Sequence, residues 1–144
     1  MKKILIVQAV FYPHISQMLL TGAVSKIKQL GYEYEIITVS GALEIAPCIS
    51  MIIQSAKKNN YCGYIALGCV IRGETTHYDI VCNNSSQSLN YLATKYGLAI
   101  ANGILTVEDK TQAIVRADIN QKNKGGFCAQ ACIDLISIKE KIEL

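Results

Sequence analysis

The sequence predicts an α/β protein, a three-layer α/β/α sandwich around a four-stranded parallel sheet. Apolar runs of strand length alternate with segments whose apolar residues recur at helical spacing. The first strand-like run shows almost no polar alternation, which marks a strand covered on both faces. The chain has 144 residues, 51% of them hydrophobic and 17% charged. That suits one domain spanning residues 1–144 with a sizeable core.

The elements follow in order. Residues 3–10, "KILIVQAV", read as a buried strand. In the next segment Leu20, Ala23, Val24, Ile27 and Leu30 recur on one helical face, with Pro13 in the first turn and Gly31 at the C-terminal end. "YEYEIITVSG" is a second strand, and residues 42–60 a second helix that tolerates Pro47 among its unpaired first N–H groups. "YCGYIALGCVIRG" is a third strand, residues 77–97 a third helix closed by Gly97, and "LAIANGILTV" a fourth strand. "EDKTQAIVRAD" and "KGGFCAQACIDLISIKEKIE" end the chain as helices. The order βαβαβαβαα implies parallel strands joined by right-handed crossovers, with helices on both faces.

Several function classes are excluded. A net charge of +3 without any block of like charges gives no nucleic-acid footprint. No apolar run reaches the roughly 20 residues of a membrane span. The N-terminus places two lysines before an apolar run, but Pro13 and His14 interrupt it and no small-residue cleavage site follows. A cytoplasmic protein is expected. Cys48, Cys62, Cys69, Cys82, Cys128 and Cys132 form no CxxC pair. Cys128 and Cys132 share a helix face, but further ligands at metal spacing are missing, so no metal is expected and the thiols read as small buried hydrophobes.

In a parallel sheet the ligand sits beyond the carboxyl ends of the strands. The unusual polar residues of this chain gather there. Gly73, Glu74, Thr75 and Thr76 join the third strand to the third helix, where free N–H groups and the helix dipole favour an anion such as phosphate. Thr76 and Asp79 have capping-box spacing. Arg116 and Lys124 are the cations to complete a phosphate site, and Gly125 and Gly126 would let backbone approach a ligand. Arg72 is a third cation, which a salt bridge to Glu44 or Asp79 would occupy equally well. His77 is the candidate proton carrier, since imidazole exchanges protons near neutrality. Asp79 or Glu44 could orient it. His14 could equally be a surface residue. Phe11 ends the first strand and could present its ring to a planar ligand. GxxxxGK[ST], GxGxxG and GxSxG are all missing. The residues alone therefore point to a cofactor-free site for a phosphorylated ligand with one acid–base histidine.

The stretches "SGALEIA", "ALGCVIRGETTHYDIVCN", "NGILTVED", "QAIVRA" and "NKGG" resemble, in order and spacing, the lumazine synthase family. The resemblance covers nearly the whole chain and is most specific at "VIRGETTHYD". It implies a flavodoxin-like fold and a transferase of riboflavin biosynthesis. The implied reaction condenses 5-amino-6-(D-ribitylamino)uracil with 3,4-dihydroxy-2-butanone 4-phosphate, using neither metal nor organic cofactor. Position by position it implies that Phe11 stacks on the pyrimidine and that Gly41, Ala42, Leu43 and Glu44 hold the ribityl chain. Backbone at Cys69, Val70 and Ile71 would read the uracil edge. Gly73, Glu74, Thr75 and Thr76 would form the phosphate turn and His77 would transfer protons. Arg116 would bind phosphate with Lys124 nearby. Asn102, Arg116 and Lys124 would come from a neighbouring subunit.

The resemblance further implies a homo-oligomer in multiples of five, small-molecule substrates, and association with riboflavin synthase. The chain opens directly on the first strand, which favours a smaller assembly over a shell. Four positions depart from the family pattern: Tyr12 follows the aromatic, Ser40 replaces a frequent proline, Leu43 a frequent phenylalanine, and Asn102 a frequent aromatic. Three rival readings stand beside this one: an archaeal-type riboflavin synthase, a non-catalytic flavin-binding module of the same fold, and a shell protein without catalysis.

Overall fold

The structure, a computed structural model, describes residues 2–144. Its four strands are β1 (Lys3–Ala9), β2 (Glu33–Val39), β3 (Gly63–Ile71) and β4 (Ile100–Val107). They form one all-parallel sheet in the order β2-β1-β3-β4. The helices are α1 (Pro13–Gln29), α2 (Ile45–Ile53), α3 (His77–Tyr96), α4 (Lys110–Ala117) and α5 (Lys124–Lys141). This is the predicted three-layer α/β/α sandwich with a flavodoxin-like arrangement.

The two faces of the sheet build two cores, because successive strand side chains point to opposite sides. Ile4 and Ile6 of β1 pack with Leu19, Ile27, Ala129 and Ile136 beneath α1 and α5. Leu5 and Val7 pack with Ile45, Ile49, Leu89 and Leu92 beneath α2 and α3. Ile4, Leu5, Ile6 and Val7 are all fully buried, which explains the unbroken apolar run that opens the chain. β2 lies at one edge and is accordingly half exposed.

Helix ends follow the expected chemistry in most places. Pro13 occupies the start of α1. Gly97 takes the left-handed conformation (φ 63°) and closes α3. Asp109 caps α4 by accepting from the Gln112 N–H at 2.8 Å. The second helix is shorter than predicted. A 3-10 turn over Ala42–Glu44 leads into α2, which stops at Ile53, and a second 3-10 turn spans Lys58–Asn60. Beyond Ile53 the sequence is polar, and Ser55 diverts the backbone by donating to the Ile52 carbonyl and accepting from the Lys57 N–H.

Among the described residues no helix is long and apolar enough to cross a membrane, and no group of three His, Cys, Asp or Glu side chains could hold a metal ion.

Candidate active site

The strand order reverses between β1 and β3, and a cavity of about 320 Å³ opens at that switch point. Phe11 and Tyr12 enter it from the end of β1. Ser40, Gly41, Ala42, Leu43 and Glu44 enter from the end of β2, Cys69 and Val70 from the end of β3, and His77 and Val81 from α3.

Phe11 is 70% exposed, so it is not a core residue. Tyr12 braces it edge to face, with ring centroids 5.0 Å apart. Glu44 is exposed, and Ser40 Oγ donates to its Oε1 at 3.1 Å. Cys69 is buried, and burial pushes its thiol up to about 11. A thiol in that state is protonated at neutral pH and is no nucleophile.

The backbone of β3 contributes more than its side chains. Pairing with β1 ends at Leu67, whereas pairing with β4 continues to Ile71. The edge of residues 69–71 that faces β1 therefore lies past the last pairing with that strand, and Cys69 and Val70 line the cavity there. Backbone groups past the end of a strand pairing seek other partners, and a heterocycle with alternating donors and acceptors supplies them.

The turn after β3 is exposed. Within the chain, and among the described residues, no hydrogen bond uses the N–H groups of Gly73, Glu74, Thr75 or Thr76. Thr75 Oγ1 instead accepts from the His77 N–H at 3.2 Å. The expected capping box does not form: Thr76 makes no side-chain cap, and Asp79 turns to Arg72 instead. Arg72 is engaged by three side chains although it stays partly exposed. Its Nε donates to Glu108 Oε2 at 2.6 Å, its Nη2 lies 3.6 Å from Asp79 Oδ1, and its guanidinium stacks 4.3 Å from the Tyr78 ring centre. Glu108 holds this guanidinium above its ordinary value. Of the two partners expected for Arg72, Asp79 is present and Glu44 is not.

Asn102, Arg116 and Lys124 do not join this cavity. They line another of about 450 Å³ along the free edge of β4, with Thr106, Phe127 and Cys128. Asn102 Oδ1 accepts from the Ile104 N–H at 2.9 Å. Arg116 donates to the Gln112 carbonyl at 3.1 Å and has no acidic partner among the described residues. Lys124 leans over Phe127, 5.9 Å from the ring centre. Gly125 and Gly126 lie at the start of α5. Both are buried: a Cβ on Gly125 would strike the Leu19 carbonyl, so Gly125 serves the contact between α1 and α5, and a Cβ on Gly126 would meet the Asn123 side chain that caps α5. His14 is exposed on α1, away from both cavities.

The residues predicted for one site thus fall into two groups at two places on the chain. Sequence reasoning noted Tyr12 and Ser40 only as departures from the family pattern, and it missed the cavity-lining roles of Val81 and Phe127. The position of Tyr12 and Ser40 at strand ends was the available signal. Nothing in the spacing distinguishes Phe127 from a core aromatic.

Comparison with known proteins gives the same picture over the whole length. The family model for 6,7-dimethyl-8-ribityllumazine synthase matches residues 1–140. The chain is 50% identical to 6,7-dimethyl-8-ribityllumazine synthase of Novosphingobium aromaticivorans, covering 98% of this chain and 99% of that one. It is 52% identical to that of Bartonella henselae (96% and 88% covered) and 49% identical to that of Zymomonas mobilis (99% and 99%). A switch-point cavity, an open backbone edge and a match across the full fold converge on one assignment: the chain belongs to the 6,7-dimethyl-8-ribityllumazine synthase family.

Proposed function

We propose that this protein condenses 5-amino-6-(D-ribitylamino)uracil with 3,4-dihydroxy-2-butanone 4-phosphate, giving 6,7-dimethyl-8-ribityllumazine, phosphate and water. The observation that carries the site assignment is the open β3 edge beside an exposed aromatic and His77. A pyrimidine can lie on Phe11 with its polar edge along residues 69–71, while the ribityl chain runs toward residues 41–43 and the Glu44 carboxylate. The phosphate of the second substrate fits the unpaired N–H groups of residues 73–76 at the start of α3. There the amine attacks the ketone, and loss of water leaves an imine. Phosphate then leaves, and the second amine closes the ring with loss of another water. Each step moves protons near the turn, and His77 lies next to it. The bonds made and broken need proton transfer and orientation, which this chain's own residues supply, so the chemistry is cofactor-independent.

Orientation carries most of the barrier reduction. Aligning two bound reactants removes roughly 7–11 kcal/mol, whereas one acid–base group contributes roughly 3–5 kcal/mol.

The separation of the two cavities supports a site shared between copies of the chain. One copy presents Phe11, Glu44 and His77, and a neighbour brings Asn102, Arg116 and Lys124. The unpaired edge of β4 and the exposed apolar side chains Phe127, Ile138 and Ile142 at α5 offer a surface for that contact. An assembly in multiples of five, a cytoplasmic location and an association with riboflavin synthase belong to the same proposal. Incubating the protein with both substrates, while following lumazine absorbance and phosphate release together, tests the reaction. Riboflavin formation from lumazine would favour the related riboflavin synthase, and flavin binding without turnover a binding module.

A further inference from the structure

One arginine braces the turn that offers its N–H groups to phosphate. The Arg72 N–H extends the sheet by donating to the Val107 carbonyl at 3.0 Å. Its guanidinium then reaches three side chains from two other places, namely Glu108 after β4 and Tyr78 and Asp79 in α3. Residues 72 and 79 bracket the turn, so their contact closes it at the base. The backbone of Glu108 is anchored, because its N–H donates to Gln112 Oε1 at 2.7 Å. The Gln112 carbonyl in turn accepts from Arg116. A continuous set of contacts therefore runs from the phosphate turn to α4.

We infer that Arg72 and Glu108 are a positioning pair, which sets the shape of the 73–76 turn before phosphate arrives, and that Arg72 is not itself a phosphate ligand. The inference rests on the function proposed above. Two carboxylates flank the single guanidinium, so an incoming phosphate meets a locally negative surface there. The planar fork and the ring beneath it fix Arg72 in one orientation, a geometry that lysine cannot reproduce. A turn already held in its binding shape loses less conformational freedom when the ligand docks.

The two possible roles of Arg72 predict opposite behaviour for Glu108. Inorganic phosphate binding is measured by calorimetry, and KM for the phosphate substrate by steady-state kinetics. The proteins are the wild type, Arg72→Ala, Glu108→Ala and the double variant, with thermal melts to establish folding. A positioning pair predicts that each single variant weakens phosphate by about two- to tenfold, while the double is no worse than either. KM for the pyrimidine substrate should stay within about twofold of wild type in all of them. Arg72→Lys should behave like Arg72→Ala, and Glu108→Gln is the milder variant should Glu108→Ala unfold. The inference is overturned if Glu108→Ala leaves phosphate binding unchanged or tightens it, as release of a ligand arginine would do. It is also overturned if Arg72→Lys binds like wild type, or if the wild-type protein binds no phosphate. Calorimetry does not depend on turnover. A wild-type protein that binds phosphate but makes no lumazine would therefore sink the proposed reaction and leave the pair to be judged on its own data.

Discussion

Ser40 Oγ donates to Glu44 Oε1 at 3.1 Å, and both residues line the cavity. Ser40→Ala should raise KM for the ribityl-bearing substrate by about two- to tenfold, the worth of one hydrogen bond, with kcat nearly unchanged. Initial-rate measurements with that substrate varied give the answer, and an altered kcat at constant KM would count against the role.

His77→Ala should slow kcat by about 10²–10⁴-fold and leave measurable turnover, because orientation of the two substrates survives the change. KM for each substrate should move only slightly. Complete loss of product in a variant that still binds both substrates would reverse the ranking of orientation over proton transfer.

Arg116→Ala should raise KM for the phosphate substrate by roughly 10- to 100-fold, since it removes a charge-assisted contact. A shared site makes a second result expected. Arg116→Ala chains and His77→Ala chains, unfolded together and reassembled, should regain about one quarter of wild-type activity, the fraction of sites in which both halves are intact. No recovery in mixed assemblies, each shown by mass spectrometry to hold both chains, would place both residues in one chain's own site.

Phe127 projects its ring into the cavity that holds Asn102, Arg116 and Lys124. A neighbouring copy that lends this surface brings an aromatic to the site although residue 102 does not supply one. Phe127→Ala should therefore weaken the pyrimidine substrate by about five- to tenfold, consistent with one aromatic contact. Asn102→Phe added to that variant should restore part of the loss. The measurement is KM with the phosphate substrate saturating.

The buried thiols predict an alkaline limit to stability. Burial pushes Cys69 up to about 11 and Cys128 up to about 12, from an ordinary value of about 9. The folded chain thus holds these protons more tightly than the unfolded chain does. Their contribution is complete below about pH 9 and declines as pH rises toward the folded values. Thermal melts should show a steady fall in Tm above about pH 9, and Cys69→Ala combined with Cys128→Ala should make it shallower, with buried Cys132, whose thiol is also raised, sustaining the rest. At neutral pH both thiols should resist alkylation until the chain unfolds.

Much of this was legible in the residues. Ile4 to Val7 declared a strand with two covered faces, and "VIRGETTHYD" declared a strand, a turn and a helix start together with their chemistry. Three features were not legible, each for a physical reason. Gly125 carries the same conformational freedom whether it faces a ligand or a helix, and only tertiary packing against Leu19 decides which. Asp79 has the spacing of a cap, yet a guanidinium from another element outbids the local N–H groups. The second helix ends early because Ser55 offers the backbone a competing partner, a choice that hydrophobic periodicity does not record.

The unequal pairing of β3, released by β1 at Leu67 but held by β4 to Ile71, also limits how the protein can change over generations. A recognition surface made of main chain is common to every amino acid except proline, which lacks the N–H, so other substitutions at Cys69, Val70 or Ile71 alter volume but cannot rewrite the order of donors and acceptors. A shift in heterocycle preference would require adding or deleting residues so that β1 ends elsewhere. Such events are rarer than substitutions and are purged when they disturb the buried layers on either side. The pyrimidine edge should therefore be the part of the ligand to which descendants of this chain stay most faithful, while the ribityl end, which faces the Glu44 side chain, remains open to drift.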